Sequence, residues 1–306
     1  MNRMFTLCLI LMAFGAVQAQ EKDTTYWKKG GIASLGFTNS DQSRYWQAGG
    51  IASQSIVGRI NVFGNYEKAK TSWQNDLTLG LGAVRQGKGD ETRFIKNEDR
   101  IILNSKFGHR FSPKLLLSGL FSFRTQFIEG YAFAPNQPTV TPSDTVSNFL
   151  APGYIEFGLG LDWQPAENIS IYYSPVNSKV TIVTLDEYRP LYIPQDITTG
   201  PVRYEIGSKL NIKYRRELAK NINFQTAAGF FANYLQNFGN IDVNWETLTT
   251  AKVNNWLAIN FATNLIYDDD VRFDIVDDNG VSTGVKGPRT QFQHVLSIGL
   301  TYTFLK

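Results

Sequence analysis

The chain has 306 residues, a formal charge of only +3, 13% aromatic residues and 26 glycines. Its mean hydropathy is −0.22. No basic run or basic helical face points to nucleic acid, and no run of 18 apolar residues predicts a transmembrane helix.

The N-terminus reads MNRMFTLCLILMAFGAVQA. Arg3 gives a positive start, Phe5 to Phe14 an apolar stretch too short to span a bilayer, and Val17 and Ala19 small residues at a cleavage site. A signal peptide over 1–19 is expected, with the mature chain starting at Gln20. The single cysteine, Cys8, lies in the apolar stretch, so the mature chain is expected to carry no disulfide and no Cys-ligated metal. Residues 20–27 read as a short periplasmic tail and 28–306 as one barrel domain.

Next comes a near-repeat. YWKKGGIAS (26–34) and YWQAGGIAS (45–53) agree at seven of nine positions, 19 residues apart. Glycine loops that bind phosphate need a following helix, and none is predicted. The expectation is one anchoring device used at both membrane interfaces: Tyr26 and Trp27 at one, Tyr45 and Trp46 at the other, with Gly–Gly where the backbone bends into the sheet. Trp163 and Phe304 are further interface anchors. A plug over 26–48 is the alternative; it would leave an odd count of eleven strands.

From there alternation with a period of two dominates. Leu115, Leu117, Phe121 and Phe123 alternate with Ser118, Ser122 and Arg124. Phe292, His294, Leu296, Ile298 and Leu300 alternate with Gln293, Val295, Ser297 and Gly299. Twelve strands are predicted over 30–39, 49–66, 71–86, 97–110, 114–128, 150–163, 168–184, 204–216, 221–236, 240–249, 254–267 and 291–305. Pro175 predicts a bulge or break in the seventh. Short and long connections alternate, with short turns such as EKAKT (67–71) and PAEN (165–168), and long loops such as 129–149 and 268–290. That is the outer-membrane pattern of an all-β, antiparallel transmembrane β-barrel with short periplasmic turns and longer extracellular loops.

The motifs W–x–N–x–L (Trp73, Asn75, Leu77), DRIILNSKFG (99–108), SFRTQF–x–x–GY (122–131), FLAP (149–152), the Pro175 break and LIYDDD (265–270) resemble a Bacteroidota family of uncharacterised outer-membrane proteins, domain of unknown function 3078. The resemblance runs from about Trp27 to Phe304. It implies an outer-membrane barrel and no assigned chemistry, so no functional residue carries over.

Candidate chemistry is sparse. His109 and His294 have Ser at +3 and share parity with apolar residues, so both read as interface residues and no catalytic residue is expected. Asp268, Asp269, Asp270, Asp277 and Asp278 form a weak metal candidate, but their spacing departs from a calcium loop. No cofactor is expected. The polar face predicts a lumen lined by Arg59, Asp76, Lys106, Arg124, Glu156, Asp162, Glu205, Lys209, Lys213, Asp242 and Glu246. Its mixed signs point to a structural or accessory barrel whose interior is narrow or filled by ion pairs. A passive small-solute channel and a hydrophobic-ligand transporter are the alternatives. Expected partners are outer-membrane lipid and lipopolysaccharide, the barrel-assembly machinery during biogenesis, and an envelope protein reached through the 129–149 and 185–203 loops.

Overall fold

The structure, a computed structural model, describes residues 26–40, 53–86, 94–131, 145–193, 198–236, 238–276 and 282–304. The predicted signal peptide, Tyr45, Trp46, Asp277 and Asp278 lie outside these residues.

Twelve long strands form a closed antiparallel transmembrane barrel. They are β1 (Trp27–Ser40), β2 (Ser53–Lys68), β3 (Thr71–Gln86), β4 (Ile95–Ser112), β5 (Leu115–Thr125), β8 (Gly153–Ala166), β9 (Ile169–Ile182), β10 (Val202–Ala219), β11 (Ile222–Asn233), β12 (Asp242–Lys252), β13 (Leu257–Tyr267) and β16 (Gln291–Phe304). Each matches one predicted strand. Four short strands pair in the long connections: β6 (Gly130–Tyr131) with β7 (Thr145–Ser147), and β14 (Arg272–Val276) with β15 (Ser282–Pro288). Alternation does not reveal these, because strands this short complete too few periods.

The inward and outward sets are inverted relative to a soluble protein. Phe292, Leu296, Ile298 and Leu300 are exposed, while Asp162, Ser174, Asn177 and Glu205 are among the most buried side chains. A lipid-facing wall with a polar interior has this distribution. No helix of the described residues is long and apolar enough to cross a membrane.

One barrel end carries the tight turns. Ala69 and Asn221 take left-handed φ values of 51° and 68° there, the conformation that a two-residue hairpin demands. The other end carries the long connections. Two of these pack together: Ala151, Val183, Tyr188 and Ile193 form a small apolar core beside the one-turn helix α1 (Arg189–Tyr192). Tyr192 fixes the pair by donating its hydroxyl proton to the Val146 carbonyl, at 2.8 Å.

β9 contains the bulge that Pro175 predicts. The register slips by one residue against both neighbours, between Leu159/Leu161 on β8 and between Gly207/Lys209 on β10. Proline offers no N–H to a ladder, and the ladder steps around it. Ser174 satisfies the freed backbone, its Oγ lying 2.9 Å from the Leu159 carbonyl and 2.8 Å from that of Val176.

The first Gly–Gly pair has a different role from the expected bend. β1 pairs with β2 along its whole length and with β16 over Gly31–Gly36, so 27–40 is wall and not plug. Among described glycines only Gly239 and Gly284 have positive φ. Gly31 makes room: a Cβ there would stand 2.6 Å from the Phe304 ring and 2.8 Å from the Asn61 carbonyl oxygen.

Candidate functional site: the inner face and the seam

Several acid–base pairs join strands that are not neighbours. Lys106 on β4 lies 2.6 Å from Asp162 on β8, with β5 between. Lys209 on β10 pairs with Glu156 on β8 across β9. Lys179 on β9 lies 3.6 Å from Asp242 on β12; it also lies 3.6 Å from Glu205, its rung partner on the adjacent β10. Arg59 on β2 lies 3.1 Å from Glu98 on β4. Adjacent strands are about 4.8 Å apart, so side chains two strands apart meet only where the wall curves toward them. All these pairs therefore lie on the concave, inner face.

Asp162 has no exposed surface. Its carboxylate also accepts from Ser170 Oγ at 2.7 Å and Gln164 Nε2 at 2.9 Å, so both of its oxygens have a donor. Asp76 accepts from Asn61 Nδ2 at 2.8 Å. Glu205 meets Arg203 at 3.2 Å, and Arg203 also pairs with Asp270. Arg124, Lys213 and Glu246 share this face by register, opposite Tyr154, Ser170 and Ala227. They form no salt bridge to another described residue.

Sequence reasoning missed Glu98, Lys179 and Arg203. Lys179 is the hub of the upper cluster, touching Glu205, Asp242 and, at 4.0 Å, Asp268. The Pro175 bulge hides it: the extra residue shifts parity, so simple alternation from Tyr172 puts Lys179 on the wrong face.

The acidic loop divides. Asp268 faces Lys179, Asp269 accepts from Asn240 Nδ2 at 2.6 Å, and Asp270 pairs with Arg203. The three carboxylates thus point to three separate partners, and Asp269 also accepts from the Tyr267 hydroxyl at 3.3 Å.

The outer face carries the aromatic anchors. Trp27 packs on Tyr66 and Trp73, with ring centroids 5.4 and 5.7 Å apart, and Tyr26 meets Tyr66 edge-on at 6.1 Å. Trp163 is exposed on β8. Trp73 donates from Nε1 to Ser105 Oγ at 2.9 Å, and Ser105 donates to Asn75 Oδ1 at 2.8 Å. Two of the sequence motifs therefore meet side by side across β3 and β4. His294 lies between Phe261 and Phe292, with centroids 6.4 and 6.1 Å away, and His109 is exposed beside Phe107 and Phe111. Neither histidine contacts the inner-face carboxylates.

Among the described residues, β1 and β16 close the barrel through a ladder of six, Gly31–Gly36 against Gly299–Phe304. Every other ladder of the wall runs for at least ten. Its last rung is Gly36 opposite Gly299, where no side chains reinforce the pair.

The chain was compared with known proteins. No curated protein matches it. Among solved structures, it is similar to the COG4313 outer membrane channel from Pseudomonas putida F1, with 10% identity, 94% of this chain and 100% of that one covered, and a TM-score of 0.40. It is also similar to the NanC porin, with 6% identity, 90% and 99% covered, and a TM-score of 0.37. The P. putida toluene transporter TodX gives 11% identity, 93% and 91% covered, and a TM-score of 0.30. Residues 187–304 match the family model described as protein of unknown function, DUF481. Residues 37–131 match the one described as protein of unknown function (DUF3078). FLAP and the Pro175 break fall outside both matches, and LIYDDD falls in the DUF481 segment, so the resemblance is narrower than the motifs implied. The DUF3078 match, from the end of β1 to β6, holds the Trp73–Ser105–Asn75 trio and four whole strands of the wall, β2 to β5.

Proposed function

We propose that this protein is a non-enzymatic outer-membrane barrel, structural or accessory in role, whose lumen is kept narrow and closed to ions by its own charged side chains. The carrying observation is the pairing of opposite charges between non-neighbouring strands, above all Lys106–Asp162 and Lys179–Asp242. A selective ion pore lines its constriction with one sign of charge. Here both signs alternate and neutralise each other.

The short turns face the periplasm and the long connections face outward, as in other barrels of this build. The exposed band of Phe, Leu and Ile contacts outer-membrane lipid. The packed platform around α1 is the part of the outer end fitted to meet lipopolysaccharide or an envelope protein.

Planar-bilayer recording on the refolded chain from Gln20 tests this reading. The expected result is no steady ion conductance, with current appearing when Lys106 and Asp162 are both replaced by alanine. Steady open-channel current from the unaltered protein sinks it in favour of a passive channel.

A further inference from the structure

The inner face is charged on one side only. From Gly30 to Thr38 on β1, and along all of β13 and β16, no inward position carries a charge. β16 presents Gln293, Val295, Ser297, Gly299, Thr301 and Thr303; β13 presents Ala258, Asn260, Ala262, Asn264 and Ile266. These three strands are consecutive in the wall, and the short seam lies among them.

Above the Gly36–Gly299 rung both strands continue without pairing to each other. β1 runs on to Ser40 and β16 runs back to Gln291. Continued register would oppose Phe37 with Ile298 and Thr38 with Ser297, yet neither pair forms. Among the described residues no other segment pairs with these edges, and backbone groups left open toward hydrocarbon are strongly disfavoured, so the edges call for a hydrogen-bonding occupant other than a lipid tail. Outside, Phe37, Leu296 and Ile298 are exposed apolar side chains flanking the gap. Inside, the amide oxygen of Asn264 on β13, opposite Gln293, is buried without a partner among the described residues. The gap thus joins an apolar exterior to an uncharged sector of the interior that holds the free Asn264 acceptor.

We propose that the β1–β16 seam is a lateral portal through which small, uncharged, amphipathic molecules exchange between the lumen and the bilayer. A hydroxyl satisfies the open backbone edges and the Asn264 oxygen in turn. An apolar body leaves past Phe37 and Ile298. An ion finds no counter-charge along this sector. The inference requires only the transmembrane wall and goes beyond the ion closure proposed above, which bilayer recording tests separately.

Site-directed quenching tests it. The chain from Gln20 contains no cysteine, so a bimane dye can be placed at Ser297→Cys, beside the gap, or at Thr301→Cys, on the same face but within the paired ladder. In liposomes containing doxyl-labelled phosphatidylcholine, quenching at 297 is expected to be several-fold stronger than at 301. Equal quenching overturns the portal. Thr38→Cys gives the same reading from the other edge if Ser297→Cys fails to fold. A dye at Asn264→Cys is expected to be quenched several-fold more by a nitroxide alcohol than by its carboxylate analogue; equal quenching overturns the uncharged class. Oxidative dimers of the Ser297→Cys chain would mean that a second copy fills the gap, and would overturn the portal.

Discussion

Phe304 closes the barrel by laying its ring over Gly31, its rung partner, at a spot where a Cβ would stand 2.6 Å from the ring. The last strand is thereby keyed to the first. With six described residues in that ladder, the glycine and the ring hold a large share of the closure.

Gly31→Ala should therefore destabilise the barrel by about 1–3 kcal/mol through overpacking. Gly119→Ala, where an added Cβ meets nothing within 4 Å, should be neutral. Urea titration of the refolded protein in liposomes, followed by tryptophan fluorescence, measures both. Equal midpoints would show that the seam tolerates bulk.

Ile298 is exposed on β16, halfway along the wall. Ile298→Arg should cost about 2–4 kcal/mol if this face meets the middle of the bilayer. The same titration reads it, and a neutral result would mean that the inward and outward faces are exchanged.

Asp162→Asn leaves Lys106 facing a neutral amide in a site where Asp162 has no exposed surface. Removing one partner of a buried pair costs about 3–5 kcal/mol; the partial exposure of Lys106 places this case at the low end. Replacing both together, Lys106→Met with Asp162→Leu, should recover most of the loss. If the double variant is no more stable than the single one, the pair is not a coupled unit.

The loop platform should respond to alkali before the barrel does. Burial, followed by the neighbouring Tyr154 and Tyr188, pushes the Tyr192 phenol above its ordinary value of 10.0. The folded form thus favours the protonated phenol. Its contribution is complete below the unfolded value and is lost as pH rises through the folded one. Hydrogen exchange over 183–193 should accelerate in that range while the strands stay protected. Tyr192→Phe should remove this pH step and, by losing the bond to Val146, cost the platform about 1 kcal/mol. An unchanged pH step in the variant would place its origin elsewhere.

The twelve strands were legible because a half-buried wall writes its period directly into the sequence. The Leu115–Phe123 and Phe292–Leu300 alternations name both the strand and its lipid face. Pro175 announced its bulge for an equally local reason, the missing N–H. That same bulge shifts the parity count, so alternation does not reveal Lys179, the hub of the upper charge cluster. The Gly–Gly pair was read as a bend because glycine permits one. Only Phe304, 273 positions later, shows that Gly31 serves close approach.

The sequence by itself determined what alternation, turn chemistry and composition encode within one or two strands: the all-β class, the strand boundaries, the alternation of short and long connections, and which faces are apolar. The tertiary structure alone decided which charges meet and where the wall is weakest. Lys106 and Asp162 are 56 residues apart, and β1 and β16 lie at opposite ends of the chain. Such partners are set by how the whole sheet staggers as it closes on itself, a sum over twelve registers that no local stretch contains.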